Sequence, residues 1–366
     1  MGDIPMRRIA IIRSISMLAM TASACALKSP AATGWNRRNV LTGANAAAMT
    51  TLSAIAMTPL PAVAASNNEQ LLSGTTVLLT GRSELSIETG KALSRQGARV
   101  VITAQLQRQV DDVVDACSGS GSGSGSVLGV QLDLANLTDV RSFPRRLDET
   151  LGASSPPAAI DVLICSAQGE SPFNSELTRT LDGIERHIGV SHIGHFALVA
   201  ALLPNLQAAR DGFRVLSISN EAHRGATRSM MLGAIDEGFD IPPGLATDTL
   251  DRYRIAKAAN VLFALELQRR LTRLGLRGSA EAVGLEDPRV ALLEPLEPAT
   301  QTLARLSAGA DSGFSRAATP EALYYRGSSG ESAVAGEAAR DAALAIRLWQ
   351  VSERLSGVSL LRMPEA

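Results

Sequence analysis

Residues 75–103 read TTVLLTGRSELSIETGKALSRQGARVVIT, and this stretch decides the fold. Thr75 to Thr80 is a short apolar, β-branched run halted by Gly81, which suits a buried strand. Ile87 to Gln96 reads as a helix, with Gly97 as its C-terminal stop. Ala98 to Thr103 is a second strand. Strand, helix and strand within about thirty residues predict a βαβ unit and hence a parallel sheet.

Outward from this unit the alternation continues. Asp111 to Ala116 reads as a helix end, and Ser118 to Ser126 is a pure Gly/Ser tract that cannot pack, expected as a flexible surface loop. Val127–Leu132, Ile160–Cys165, Phe213–Ser219 and Arg289–Leu293 are expected strands. Val140–Leu151, Leu181–Ala208 and Asp251–Leu274 are expected helices. The pattern predicts a doubly wound parallel α/β sheet forming one domain over 74–358, with ligands at the carboxyl ends of the strands.

Composition narrows the function. The 366 residues are 45% hydrophobic, enough for a large core, which excludes wholesale disorder. A net charge of −1 excludes a strongly basic nucleic-acid binder. Cys25, Cys117 and Cys165 are too few for a disulfide framework and lack metal-ligand spacing. The near-neutral total is a cancellation. Residues 1–64 hold six bases and one acid, and the remainder holds 29 bases and 35 acids. Arg7-Arg8 and Arg37-Arg38 each precede an apolar stretch ending in small residues, at Ala22-Ser23-Ala24 and Ala62-Val63-Ala64. A basic start, a modest apolar middle and small residues at the end make a signal of the kind that is cleaved. The second stretch resembles a twin-arginine signal. Residues 1–64 are therefore expected to be a targeting leader, 65–73 a linker and 359–366 a tail. Two signals in series resemble the leader of a protein sent to a complex plastid (a chloroplast gained secondarily), with the thylakoid lumen as one destination; a single signal with a low-complexity tail is the alternative.

Tyr253-Arg254-Ile255-Ala256-Lys257 carries the most specific chemistry. Four residues apart on a helix, Tyr253 and Lys257 share a face, where an ammonium favours the phenolate and readies the hydroxyl for proton exchange with a carbonyl. Lys28, Lys91 and Lys257 are the only lysines, so a lysine at this spacing stands out against a solvated surface pair. This segment resembles the YxxxK helix of the short-chain dehydrogenases/reductases, in particular the retinol-dehydrogenase-like group and its relatives near protochlorophyllide reductase. ETGKAL at 88–93, QLDLANL at 131–137, DVLIC at 161–165, GVSHIGHF at 189–196, RVLSIS at 214–219 and LAIRLWQVSERLSG at 344–357 match in order. The resemblance implies a Rossmann-like fold, a nicotinamide cofactor and a small apolar carbonyl, alcohol or double-bond substrate.

It also implies a site, with departures. Thr80, Gly81, Arg82, Ser83, Leu85 and Ser86 occupy the phosphate-binding turn, but the family's two later glycines are absent and Glu84 adds a negative charge. Asp133 and Leu134, then Cys165-Ser166-Ala167-Gln168 in place of NNAG, then Pro295 and Thr300 complete the implied cofactor contacts, with Lys257 on the ribose. Nothing acidic ends the second strand at Ala104-Gln105, which favours NADP(H) over NAD, with Arg82 on phosphate. The family's catalytic serine aligns with Asn220, next to Ser219, and its structural asparagine with Ser191. His187, His192 and His195 sit at poor joint-ligation spacings and read as packing and capping, so no metal is expected. Trp349 reads as an apolar anchor for the last helix. The segment 224–250, rich in Met, Gly and Pro, is expected to cover the substrate cleft.

Two functions remain open on sequence. One is an NADP(H)-dependent oxidoreductase using Tyr253, Lys257 and Asn220 or Ser219. The other is a catalytically degenerate relative serving as a scaffold or ligand-binding subunit, with a protein partner at a thylakoid complex. Homo-oligomerisation is not readable from the sequence.

Overall fold

The apolar runs that end at Thr80, Ala104, Gln131, Cys165 and Asn220 become the first five strands of a sheet with helices on both faces. The computed structural model describes residues 71–118, 125–153, 157–169, 177–240, 249–286, 296–309 and 324–363. Expectations for the leader at 1–64, and for most of the linker, lie outside them.

β1 (Thr76–Thr80), α1 (Glu84–Arg95), β2 (Arg99–Ala104), α2 (Gln107–Ser118), β3 (Ser126–Gln131), α3 (Leu137–Leu151) and β4 (Val162–Cys165) form the first half. The core of the Gly/Ser tract, 119–124, lies outside the described residues. The second half runs through β5 (Phe213–Asn220), α7 (Arg228–Asp236), α8 (Thr249–Arg273), β6 (Gly278–Leu285), α9 (Glu297–Ser307), β7 (Tyr324–Arg326) and α10 (Ala342–Ser356). The seven strands are parallel, in the order β3-β2-β1-β4-β5-β6-β7.

β1 pairs with β2 on one side (Val77 opposite Val100) and β4 on the other (Val77 opposite Val162). The chain thus reverses its winding direction at β1, and the ends of β1 and β4 form a natural crevice. Side chains alternate across the sheet. Leu78 packs with α3, α8 and α10, while Val77 and Leu79 pack with α1, α2 and α9. Helices cover both faces, which is why these strands read as continuous apolar runs rather than alternating ones.

Two expectations change. The single helix over 181–208 is instead α4 (Arg186–Ile188), a π-helical turn Gly189–Gly194, α5 (His195–Ala201) and α6 (Leu203–Gln207). Gly183, at φ +81°, turns the chain before α4. Pro204 lacks the N–H that an unbroken helix needs, so the chain breaks at Leu202 and α6 starts at Leu203. Within the π turn, a Cβ on Gly194 would lie 2.6 Å from the Leu134 carbonyl oxygen, so the backbone itself packs against the end of β3. The sixth strand is GSAEAVGL at 278–285; the expected Arg289–Leu293 lies outside the described residues. Small residues and a central Glu281 hid β6, because alanine and glycine carry little β signal.

Candidate active site

The turn after β1 is built around one glycine. Gly81 has φ +92°, and a Cβ there would approach Ala167 Cα to 2.9 Å, so the turn presses directly on the end of β4. Ser83 caps α1, accepting a hydrogen bond from the Ser86 backbone N–H. The Ser83, Ser86 and Ser166 hydroxyls then form a chain, with Oγ separations of 2.9 and 3.1 Å. Where glycines would leave backbone exposed, hydroxyls knit the turn to β4.

A cavity of about 440 Å³ opens at the carboxyl ends of β1 to β4. Gly81, Arg82, Ser83, Asp133, Leu134, Ser166, Ala167 and Gln168 line it, as do Gln105 and Arg186, which the sequence did not point to as contacts. Arg82 and Arg186 are its cations, and Glu84 lies exposed at the first turn of α1. The other implied cofactor residues lie elsewhere. Leu85 is buried in the α1-side core, and Cys165 in the opposite core, where burial pushes its thiol up. Ser86 is spent in the hydroxyl chain, and Thr300 is buried on α9. Pro295 lies outside the described residues.

Thr80 is a buried hub. Its Oγ1 accepts from the Ser166 and Ala167 backbone N–H groups at 2.9 and 3.1 Å and lies 2.8 Å from His195 Nε2. His195 Nδ1 donates to the Ser191 carbonyl at 3.0 Å, so Nε2 is the acceptor and Thr80 the donor. Burial holds this imidazole neutral, lowering its pKa to about 4, and that of His192 to about 3. Ser191 is buried in the π turn and offers its carbonyl to His195.

Tyr253 and Lys257 face the end of β5 from α8. Tyr253 Oη accepts from Asn220 Nδ2 at 2.5 Å and donates to Gln168 Oε1 at 3.4 Å. His187 stacks edge-on to its ring, 5.8 Å between centroids. Lys257 Nζ lies 5.3 Å from the Tyr253 ring centroid. Its side chain is 1% exposed, and burial lowers its pKa to about 7. Among the described residues no side chain hydrogen-bonds Nζ.

Asn220 is locked from three directions. Its Oδ1 accepts from Ala222 N–H, and its carbonyl accepts from His223 Nδ1. His223 Nε2 in turn accepts the Gly336 N–H, tying the C-terminal segment to the site. Ser219 is turned toward α8 and donates to the Lys257 backbone carbonyl at 2.8 Å rather than to the phenol. Its hydroxyl therefore anchors α8 on β5, and Asn220 is the group beside the phenol. Of the 224–250 segment, α7 places Met231, Ala234 and Ile235 in the main core rather than over a cleft; residues 241–248 lie outside the described ones.

A Tyr/Lys pair on one helix, a donor at the end of the fifth strand, and a cavity at the switch point of a doubly wound sheet define a dehydrogenase-like site. The family profile described as short chain dehydrogenase matches residues 75–232. Human dehydrogenase/reductase SDR family member 13 is 32% identical over 305 residues, covering 78% of this chain and 74% of that protein. The chain belongs to the short-chain dehydrogenase/reductase family of oxidoreductases. The chicken WW domain-containing oxidoreductase is 30% identical over 210 residues, 57% of this chain, and this chain spans only 48% of its length. Among solved structures, a protein of Mycobacterium paratuberculosis is 27% identical with a TM-score of 0.59, covering 81% of this chain and 98% of that one.

Proposed function

We propose that this protein is an NADP(H)-dependent oxidoreductase acting on an apolar carbonyl, alcohol or double-bond substrate. One observation carries the reading: the Tyr253 hydroxyl is held by the Asn220 amide above a buried Lys257. A dinucleotide fits the residues present. Gly81 keeps the tight turn, the α1 N-terminus faces the cavity, and Lys257 is a buried cation one helical turn from Tyr253. Arg82 and Arg186 supply the positive charge that a phosphate prefers, and no carboxylate follows β2.

Bound there, the nicotinamide would supply the hydride chemistry that the chain's own side chains lack. The chain's residues handle the proton. Asn220 has two amide hydrogens; one is given to Tyr253 and the other is available to a substrate oxygen. The tyrosine is the group placed to exchange a proton with that oxygen, and Lys257, in its charged form, stabilises the phenolate left behind. An amide cannot ionise, so Asn220 holds the phenol and leaves proton exchange to the tyrosine alone.

A second reading rests on the altered turn. With two glycines absent, hydroxyls filling their place and Glu84 at the phosphate end, the domain would act as a scaffold or ligand-binding subunit. Titration calorimetry with NADPH and NADP⁺ separates the two. Binding, together with carbonyl reduction that drops at least about 100-fold in Tyr253→Phe, supports the enzyme. No heat at millimolar cofactor supports the scaffold. The paired arginine-led segments of 1–64 support delivery to a plastid, and those residues fused to a fluorescent reporter in an algal cell test it.

A further inference from the structure

Resting on that reading, we propose that Gln168 is a latch on Tyr253, holding the phenolic hydrogen until occupation of the adjoining cavity moves the amide aside. The direction of the hydrogen bonds supports this. Asn220 Nδ2 carries only hydrogens, so Tyr253 Oη accepts there and its own hydrogen points to Gln168 Oε1. A carbonyl substrate needs that same hydrogen and must take the place of the glutamine oxygen. Gln168 is thus a positioning residue that competes with substrate.

Its setting lets it move. Gln168 lines the cavity, whereas Tyr253 and Lys257 do not, so its side chain stands on the border between the two. The backbone leading to it is fixed, with the Ser166 and Ala167 N–H groups on Thr80 Oγ1 and Ala167 against Gly81. The side chain itself is exposed, and its contact with Tyr253 is long at 3.4 Å. A pinned backbone carrying a free side chain makes a local switch that needs no loop movement. Where the family's NNAG motif has glycine, this chain carries Gln168, and with it a side chain that can reach Tyr253.

A ligand that must break this contact binds more weakly by the equilibrium constant of opening, about two- to tenfold for one net hydrogen bond. The test uses Gln168→Met, which keeps the bulk and loses the acceptor, and Gln168→Ala, which loses both. NADPH affinity is measured by calorimetry. The Tyr253 ionisation is followed by phenolate difference absorbance, with Tyr253→Phe subtracted to remove Tyr324 and Tyr325. The latch predicts roughly two- to tenfold tighter NADPH binding in both variants and phenolate formation at lower pH. Tighter binding in Gln168→Ala alone would mean that bulk is the obstacle and overturns it, as does an unchanged tyrosine titration. If neither wild type nor variants bind NADPH while the titration still shifts, the cofactor reading fails and the Gln168–Tyr253 contact stands.

Discussion

Lys257 shows how burying a single charged side chain can cost stability. Burial disfavours its ammonium, with a pKa near 7 in the folded protein against 10.5 when solvated. Between those values the unfolded chain binds more protons than the folded one, so this residue makes stability rise with pH from about 7 to 10.5. Lys257→Met is therefore expected to lose activity yet raise Tm at pH 7 by several degrees, since about 1 kcal/mol moves Tm by roughly 2–4 °C in a large domain. The advantage shrinks by pH 10, and melts at the two pH values check it. Tyr253 and Lys257 were legible in the sequence because a helix makes a four-residue spacing a shared face. Gln168 was not. Comparing it with a glycine asks what has been lost, whereas only the fold brings residue 168 to residue 253.

At the scale of elements, α10 closes the molecule through Trp349. The indole is 1% exposed and packs edge-on to Phe196 at 4.9 Å, stacked on Phe263 at 5.9 Å, with the Arg270 guanidinium 4.3 Å from its ring. Trp349→Ala should cost about 3–5 kcal/mol, as for other fully buried aromatics. Trp349→Phe should cost much less, because the indole Nε1 has no hydrogen-bond partner to lose. Urea denaturation of the two variants measures the difference. The first five strands were readable since burial on both faces demands unbroken apolar runs. β6 escaped because alanines and a carboxylate carry no such run, and the helix over 181–208 read as continuous because the π turn answers to a tertiary contact with Leu134.

Across the whole molecule, buried titratable groups oppose one another. His192 and His195 are held neutral, with pKa values of about 3 and 4, so their stabilising effect is complete above about 6.5 and declines as pH falls toward those values. Glu281 on β6 behaves in the opposite sense. It is 2% exposed, and burial raises its carboxyl to about 7 despite a hydrogen bond from Ser279 and the nearby Arg214. The folded protein then binds more protons than the unfolded chain between 4.5 and 7, so this group lowers stability as pH rises through that interval. Glu281→Gln is expected to raise Tm at pH 8, where the carboxylate is charged and buried, and to change it little at pH 4.5. Scanning calorimetry at both values tests it, and a larger gain at pH 4.5 would reverse the assignment.

The link from Gly336 through His223 to Asn220 sets an order on the molecule's birth. A ribosome releases the chain from its first residue onward, and the sheet from β1 to β5 can begin to assemble as it emerges. Asn220 gains its last support only once Gly336 arrives, and the Tyr324 hydroxyl reaches the neighbouring Glu221 at 2.6 Å just before that. The amide that holds Tyr253 is thus finished by nearly the last tenth of the chain to be made. A nascent or truncated product would hold most of the sheet and still lack a completed site.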